Sequence, residues 1–309
     1  MILLTGSTGF IGSFMIKYFE NKNIGYKSIS RSKNHKPNNF QINLDESVDI
    51  SSILDGVDVV IHAAAKAHVL NEFDYAHSSE YRKINTLATL NLARQSIENN
   101  VKKFIFLSTI KVNGESTTAD NYFSEMSKPN PVGPYALSKY EAEQGLLEIF
   151  RDSNTELIIL RIPLVYGPGV KGNLRSLIKA INLSMPLPFK SIKNKRNLLS
   201  IYNLADVLIL IANHSSSLKQ LYLLSDNKAI SLPNLILSIG SAISKTPLLL
   251  YIPSSFLEFI FRLMGRDAQF KKLTENLQIN SSLIRKDLAW QQAYDIKNSF
   301  IDCPKSSNS

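Results

Sequence analysis

The sequence predicts an α/β fold: a doubly wound parallel sheet followed by a smaller, mostly helical C-terminal lobe. Three observations carry this. Residues Ile2 to Gly12 read ILLTGSTGFIG, a short apolar strand and then glycine at every third position, Gly6, Gly9 and Gly12. Short apolar runs alternate with amphipathic helical stretches through the first half, as expected of a parallel sheet covered on both faces. After Arg161 the alternation breaks at Pro163, Gly167, Pro168, Gly169 and Gly172.

The first element is a buried strand, a tight turn and a helix from Gly9 to about Lys22. One glycine permits the sharp turn, one lets a phosphate approach the backbone, and one lets helix and strand pack closely. The helix start then presents free N–H groups and partial positive charge to an anion. Further strands are expected at Tyr26–Ser30, Phe40–Ile42, Val57–Ala63, Phe104–Leu107 and Leu157–Ile162. Helical spacing covers Ser79–Asn99, with Ile84, Leu87, Leu90 and Ala93 on one face. A second helix covers Tyr135–Phe150, with Leu137, Tyr140, Leu146 and Leu147 on its expected buried side. Right-handed crossovers place ligands outside the C-terminal strand ends.

Beyond Arg161 a Pro-rich stretch, Met185 to Phe189, precedes a helix at Leu204–Asn213 and a strand at Leu221–Leu224. From Ser231 onward helices predominate. The expected division is a dinucleotide-binding domain of 1–165 plus 201–225, a substrate lobe of 166–200 plus 226–300, and a polar tail at 301–309. Ser254 to Met264 (SSFLEFIFRLM) is strongly apolar and is expected to pack as a helix of the small lobe rather than touch a membrane.

Composition narrows the class. Hydrophobic residues are 44% and charged residues 20% of 309, a balance that supports a sizeable core. The lone cysteine, Cys303, excludes a disulfide framework and a cysteine-based zinc site, and fits a reducing cytoplasm. No basic leader precedes the first strand, so no signal peptide is expected. No apolar run reaches the ~18 residues needed to span a bilayer. The histidines, His35, His62, His68, His77 and His214, lack metal-ligand spacing, and His62 reads as structural. The formal charge is +9, but its clusters, Lys190 to Arg196 and Arg31 to Lys36, lack interleaved aromatic residues. Nucleic acid is therefore not the expected partner. Both clusters suit a diphosphate ligand as well as a solvated surface.

Three residues are candidates for chemistry. Tyr135 and Lys139 lie one helical turn apart in YALSK and share a helix face. Pro134 suits the first turn of that helix. An ammonium beside the phenol favours tyrosinate, making it a usable acid or base near neutrality. At this spacing alone, an exposed Tyr–Lys pair is the commoner outcome. Thr109 ends the fifth strand, where a hydroxyl faces the ligand cleft, although threonine also favours strands.

Taken together these motifs carry a resemblance. TGSTGFIG, Ala63 to Ala65, Asn85 in NTLAT, Ser108-Thr109 followed by VNG, Tyr135 with Lys139, and LRIPLVYGPG resemble an extended short-chain dehydrogenase/reductase. Within it the chain resembles the NAD(P)-dependent nucleotide-sugar epimerase/dehydratase/reductase family, from Ile2 to about Trp290. The resemblance implies a Rossmann-type domain and assigns roles. Gly6, Gly9, Phe10, Ile11 and Gly12 would hold the pyrophosphate, with Asn43 and Leu44 bordering the adenine. Ala63, Ala64 and Ala65 would line the nicotinamide half with Asn85 behind them, and Ile162 would join this cofactor set. Thr109, Tyr135 and Lys139 would be catalytic, with Lys139 also on the nicotinamide ribose. Thr109, Asn173, Leu174, Arg196 and Arg266 would contact a UDP-sugar. A homodimer through helices of the large domain is implied, with no stable membrane insertion.

Two departures from the family pattern choose among its reactions. The family's 4,6-dehydratases place an Asp–Glu pair after the catalytic threonine, where this chain has Ile110 and Lys111. Dehydration is therefore not expected. An NAD site usually has an acidic residue about 20 positions beyond the glycines. No carboxylate occurs between Glu20 and Asp45, and Arg31 stands there instead. A cation favours the extra phosphate of NADP(H) over NAD(H), although Arg31 also fits a plain loop charge. STIKVNGE, YGPGVKGN and LPLPF also resemble reductases making N-acetylquinovosamine-type 6-deoxy sugars of surface polysaccharides such as O-antigen. The expected activity is an NADPH-dependent 4-ketoreductase of a UDP-4-keto-6-deoxy-N-acetylhexosamine. The alternatives are a UDP-hexose 4-epimerase with tightly bound NAD and a non-catalytic cofactor sensor.

Overall fold

The computed structural model describes residues 1–32, 38–67 and 78–301. His35, Lys36, His68, His77, Cys303 and the tail beyond Ile301 lie outside the described residues.

Chain order begins with β1 (Ile2–Thr5), α1 (Phe10–Asn21), β2 (Tyr26–Ser30), β3 (Asn39–Gln41), α2 (Ser51–Leu54) and β4 (Val59–His62). Next come α3 (Ser78–Tyr81), a π-helical segment (Arg82–Leu87) and α4 (Ala88–Glu98). They lead to β5 (Lys103–Thr109), a 3₁₀ turn (Ile110–Val112), α5 (Gly133–Ile149) and β6 (Glu156–Ile162). The short strands β7 (Val165–Tyr166) and β8 (Leu199–Ser200) flank α6 (Gly172–Asn182), and α7 (Ile201–Asn213) leads to β9 (Leu221–Leu223). Finally α8 (Leu232–Ala242), α9 (Ser254–Leu263), α10 (Asp267–Thr274), α11 (Ser282–Asp287) and α12 (Ile296–Ile301) close the chain.

Seven parallel strands form one sheet in the order β3-β2-β1-β4-β5-β6-β9. Strand residues alternate between its two faces. Ile2, Leu4, Ile61, Ile105 and Leu160 pack under α1 and α7. Leu3, Val60, Phe104, Phe106 and Ile159 pack under α2, α4 and α5. The predicted continuous apolar runs are thus strands buried on both sides. A third core, with Leu174, Ile181, Ile236, Ile239 and Phe270, joins α6, α8 and α10 into the smaller lobe. Ile284, Leu288 and Trp290 of the α11 region instead pack with the sheet side.

Two helix faces differ in part from expectation, although Leu146 on α5 and Ala93 on α4 are buried as expected. On α5, Leu137 is exposed, while Ser138, Lys139, Ala142, Glu143 and Leu146 face inward. A polar network described below replaces the apolar stripe. In the segment before β5, Asn85, Thr86, Thr89 and Leu92 are buried, and Ile84, Leu87 and Leu90 are half-buried. The π-helical turn rotates the face by about one residue.

The glycine turn is the tightest contact in the sheet domain. Gly6 has φ +76, and a Cβ there would lie 2.8 Å from the Ala64 backbone. A Cβ at Gly12 would lie 2.1 Å from the Gly6 carbonyl oxygen. Backbone cannot yield as a flexible side chain does. Gly12→Ala is therefore expected to destabilise the fold by about 1–3 kcal/mol. Gly25→Ala, whose Cβ would meet Met1 Sδ at 3.6 Å, is expected to shift stability by less than about 0.5 kcal/mol. Urea midpoints of the two variants check the difference.

Candidate active site

The C-terminal ends of β1, β4, β5 and β6 converge. Thr5 pairs with His62 across β1 and β4, and Thr109 with Ile162 across β5 and β6. Gly6 and Ser7 donate to the Ile29 carbonyl, at 3.0 and 3.3 Å, tying the glycine turn to β2. Gly9 occupies the N-cap of α1 with no side-chain cap, and the first turn holds no acidic residue. The N–H groups of Phe10, Ile11 and Gly12 precede the helix's first bond, from Ser13 N to Gly9 O at 2.9 Å. This cradle fits a dinucleotide pyrophosphate: side chains neither fill it nor repel an anion from it.

The other residues expected to contact the cofactor lie on the elements that follow. Ala63, Ala64 and Ala65 are half-buried beyond β4, with Ala64 against Gly6. Asn43 and Leu44 follow β3, the first exposed and the second half-buried. Arg31 is exposed directly after β2. Ile162 is buried at the end of β6. Asn85 is fully buried in the π-helical turn. Its side chain accepts from Lys66 N at 2.8 Å and donates to Lys66 O at 3.1 Å and Ser138 Oγ at 3.0 Å. It therefore clamps the loop after β4 to α5.

A directional chain of hydrogen bonds runs beneath that loop. Ala64 N donates to Thr5 Oγ1 at 3.2 Å, and Thr89 Oγ1 donates to Asn85 O at 2.8 Å. His62 bridges the two hydroxyls, Nδ1 to Thr5 at 2.7 Å and Nε2 to Thr89 at 2.8 Å. Since Thr89 has already given its proton, Nε2 carries the imidazole hydrogen and Nδ1 accepts. Burial, with help from the Lys139 charge, pushes the His62 pKa down to about 3. The ring is neutral and structural at ordinary pH.

Tyr135 and Lys139 project from the first turns of α5, which packs along β5 and the turn after it. Thr109, buried at the end of β5, accepts from Lys111 N at 3.3 Å through Oγ1. Tyr135 is half-buried, its ring 6.3 Å from that of Tyr81 at 62°. Lys139 is buried with Nζ 3.8 Å from the centre of the Phe106 ring, three residues before Thr109 on β5. Burial lowers the Lys139 pKa to about 7, against an opposing pull from Glu143. The amine thus titrates near neutrality instead of remaining a fixed charge.

Behind these residues lies an ion pair that sequence reasoning missed. Arg161 Nε donates to Glu143 Oε1 at 3.0 Å and Oε2 at 3.1 Å, and Nη2 reaches Oε2 at 2.5 Å. Arg161 Nη1 donates to Asn113 Oδ1 at 3.1 Å, and Ser108 Oγ donates to Glu143. Both charged side chains are essentially inaccessible, 4% and 1% exposed. Two signals pointed to it: a charge inside the apolar run LIILRI, and a carboxylate one turn beyond Lys139.

The predicted substrate residues are dispersed over the small lobe. Asn173 is exposed in the first turn of α6, and Leu174 beside it is buried in the lobe core. Arg196 Nη1 donates to Glu275 O at 3.0 Å, just past α10. Arg266 is exposed at the opposite end of α10, about 12 Å along the helix axis. No cluster of metal-ligating side chains occurs among the described residues.

A glycine turn at a helix start, a strand-end threonine and a Tyr/Lys pair on the following helix are the pattern of an enzyme of the short-chain dehydrogenase/reductase class. A profile described as "NAD dependent epimerase/dehydratase family" matches residues 2–224. The chain is 36% identical over 304 residues to a UDP-glucose 4-epimerase of Vibrio cholerae, covering 97% of this chain and 93% of that one. It is 23% identical over 269 residues to the N-acetyl-alpha-D-glucosaminyl-diphospho-ditrans,octacis-undecaprenol 4-epimerase of Escherichia coli O157:H7, covering 85% and 77%. Its fold is similar to the crystal structure of UDP-N-acetylglucosamine 4-epimerase from Bacillus cereus, with TM-score 0.80, 19% identity and coverage of 97% and 96%. The chain belongs to the NAD dependent epimerase/dehydratase family, and a nicotinamide dinucleotide is its cofactor class.

The buried amine gives a pH test. Its folded pKa lies below its unfolded value of 10.5, so between the two the unfolded chain binds more protons and stability rises with pH. Relative to Lys139→Met, the cofactor-free wild type is expected to gain stability from about pH 7 toward pH 10.5. Denaturant melts of both proteins across that range measure it. Parallel pH dependences would show that Lys139 is not buried as described.

Proposed function

We propose that this enzyme is an NADPH-dependent 4-ketoreductase acting on a UDP-4-keto-6-deoxy-N-acetylhexosamine. The observation that carries the reading is the end of β2: exposed Arg31 beside the glycine turn, with no carboxylate from Gly25 to Leu44. A guanidinium there suits the 2′-phosphate of NADP(H), and no acid claims the ribose hydroxyls. The residues after Thr109 support reduction over dehydration. Ile110 is buried, and Lys111 pairs with Glu115 at 3.6 Å. No acid–base pair stands there to eliminate water.

A nicotinamide cofactor held at the glycine turn would supply the hydride for the sugar's fourth carbon. Tyr135 gives its phenolic proton to the oxygen as the C=O double bond becomes an alcohol. Thr109 Oγ1 holds that oxygen by a hydrogen bond. Lys139, titrating near neutrality, stabilises the tyrosinate left behind until solvent returns the proton. Arg196 and the start of α6 at Asn173 and Leu174 would receive the nucleotide diphosphate, with Arg266 at the lobe's edge.

A second reading, a UDP-hexose 4-epimerase holding NAD, is favoured by the name of the Vibrio cholerae relative. It uses the same trio twice, first to oxidise and then to reduce. A homodimer through the outer faces of α4 and α5, where Leu90, Leu137 and Leu147 are partly exposed, is part of either proposal.

Tyr135→Phe is expected to lower turnover by roughly 100- to 10,000-fold, with cofactor binding retained. The assay supplies NADPH or NADH with a 4-keto UDP-sugar and follows nicotinamide absorbance. Arg31→Ala is expected to raise KM for NADPH about tenfold, one charge-assisted contact's worth, and to leave KM for NADH unchanged. Purification with tightly held NAD and no net oxidation of NADPH would establish the epimerase instead.

A further inference from the structure

We propose that the small lobe docks on an anionic phospholipid bilayer through α9 and the chain leading into it. The helix was expected to pack away inside the lobe, and half of it does. Leu257 is buried, and Phe261 leans on Phe270 with ring centres 5.2 Å apart. The rest faces outward. Phe256 and Phe259 are 55% and 56% exposed, and Leu263 is 73% exposed. Their spacing of three and then four residues places them on one stripe.

The approach to α9 extends this apolar edge. Leu248, Leu250 and Tyr251 are exposed. Backbone bonds hold them beside residues 187–190: Leu187 N to Leu248 O at 2.8 Å, Leu250 N to Leu187 O at 2.9 Å, and Lys190 N to Leu250 O at 3.2 Å. Single exposed apolar residues are ordinary, but six within residues 248–263 mark a contact surface.

Charge selects the occupant. Across 183–196 and 245–266 the sole carboxylate is Glu258, which pairs with Arg262 at 3.3 Å. Lys190, Lys193, Lys245 and Arg262 are exposed in the same stretches. Apolar residues bordered by cations match an anionic interface, where rings enter the headgroup region and long cationic side chains reach back to phosphate. A second copy of the chain would set these cations against their own images. The ten residues of α9 reach about 15 Å, half of a hydrocarbon core, so the helix lies on the bilayer and does not cross it. Among the described residues, no helix is long and apolar enough to cross.

Vesicle flotation tests this with the full chain. The protein is expected to float at least about tenfold more with phosphatidylglycerol-rich vesicles than with pure phosphatidylcholine, and to be released by salt. The triple variant Phe256→Ser, Phe259→Ser, Leu263→Ser is expected to lose flotation while keeping its thermal midpoint and turnover. Arg262→Glu is expected to weaken flotation at low salt. Hydrogen exchange of the unmodified chain provides an arm free of folding effects, with vesicle-dependent protection expected within 248–264. Absent flotation, flotation indifferent to lipid charge, or protection elsewhere overturns the proposal. So does concentration-dependent self-association that the triple variant abolishes, which would assign the face to a second copy.

Discussion

The structure of the site depends on one buried ion pair. Arg161 rises from the C-terminal end of β6 and Glu143 descends from α5, and they meet where water does not reach. Each would be very costly to bury alone. Together, with Ser108 and Asn113 completing their hydrogen bonds, they form a polar pin between helix and sheet. The pin fixes the rotation of α5. Once Glu143 points inward, Lys139 one turn earlier points inward too, and Tyr135 one turn before that sits at the cleft. The same rotation drives Leu137 out to solvent.

A second polar layer works from the other side. The chain from Ala64 through Thr5, His62 and Thr89 to Asn85 holds the loop after β4. Asn85 then reaches Ser138 on α5. The loop after β4 and helix α5 are thereby joined through a single amide. A π-helical turn at Asn85 lets that side chain face the loop and α5 together, a use of irregular helix seen near functional sites.

This explains what the sequence disclosed and what it withheld. Strands with apolar residues on both faces, and a turn whose glycines admit no Cβ, are governed by local sterics and by burial. Both are written in residue order. The inward face of α5 is governed by partners distant in the chain, Arg161 and Asn113, so apolar spacing found Leu146 but put Leu137 inside and missed Ser138, Lys139 and Glu143. Arg161 within an apolar strand was the available clue, since a charge there needs a buried partner. The apolar run at 254–264 was legible as a lobe helix, and Leu257 and Phe261 do pack there, but its outward stripe of Phe256, Phe259 and Leu263 was not. Hydrophobic content alone does not say which side of a helix the rest of the chain covers.

The most direct measurement of the central claim is a double-mutant cycle on Glu143→Met and Arg161→Met, read by equilibrium denaturation. The account predicts that each single variant loses about 3–5 kcal/mol, because each strands one buried charge. The double variant should recover at least about 2 kcal/mol of the summed loss, since neither charge then remains. Additive losses, or single losses below about 1 kcal/mol, would show that the pair does not pin α5 to the sheet.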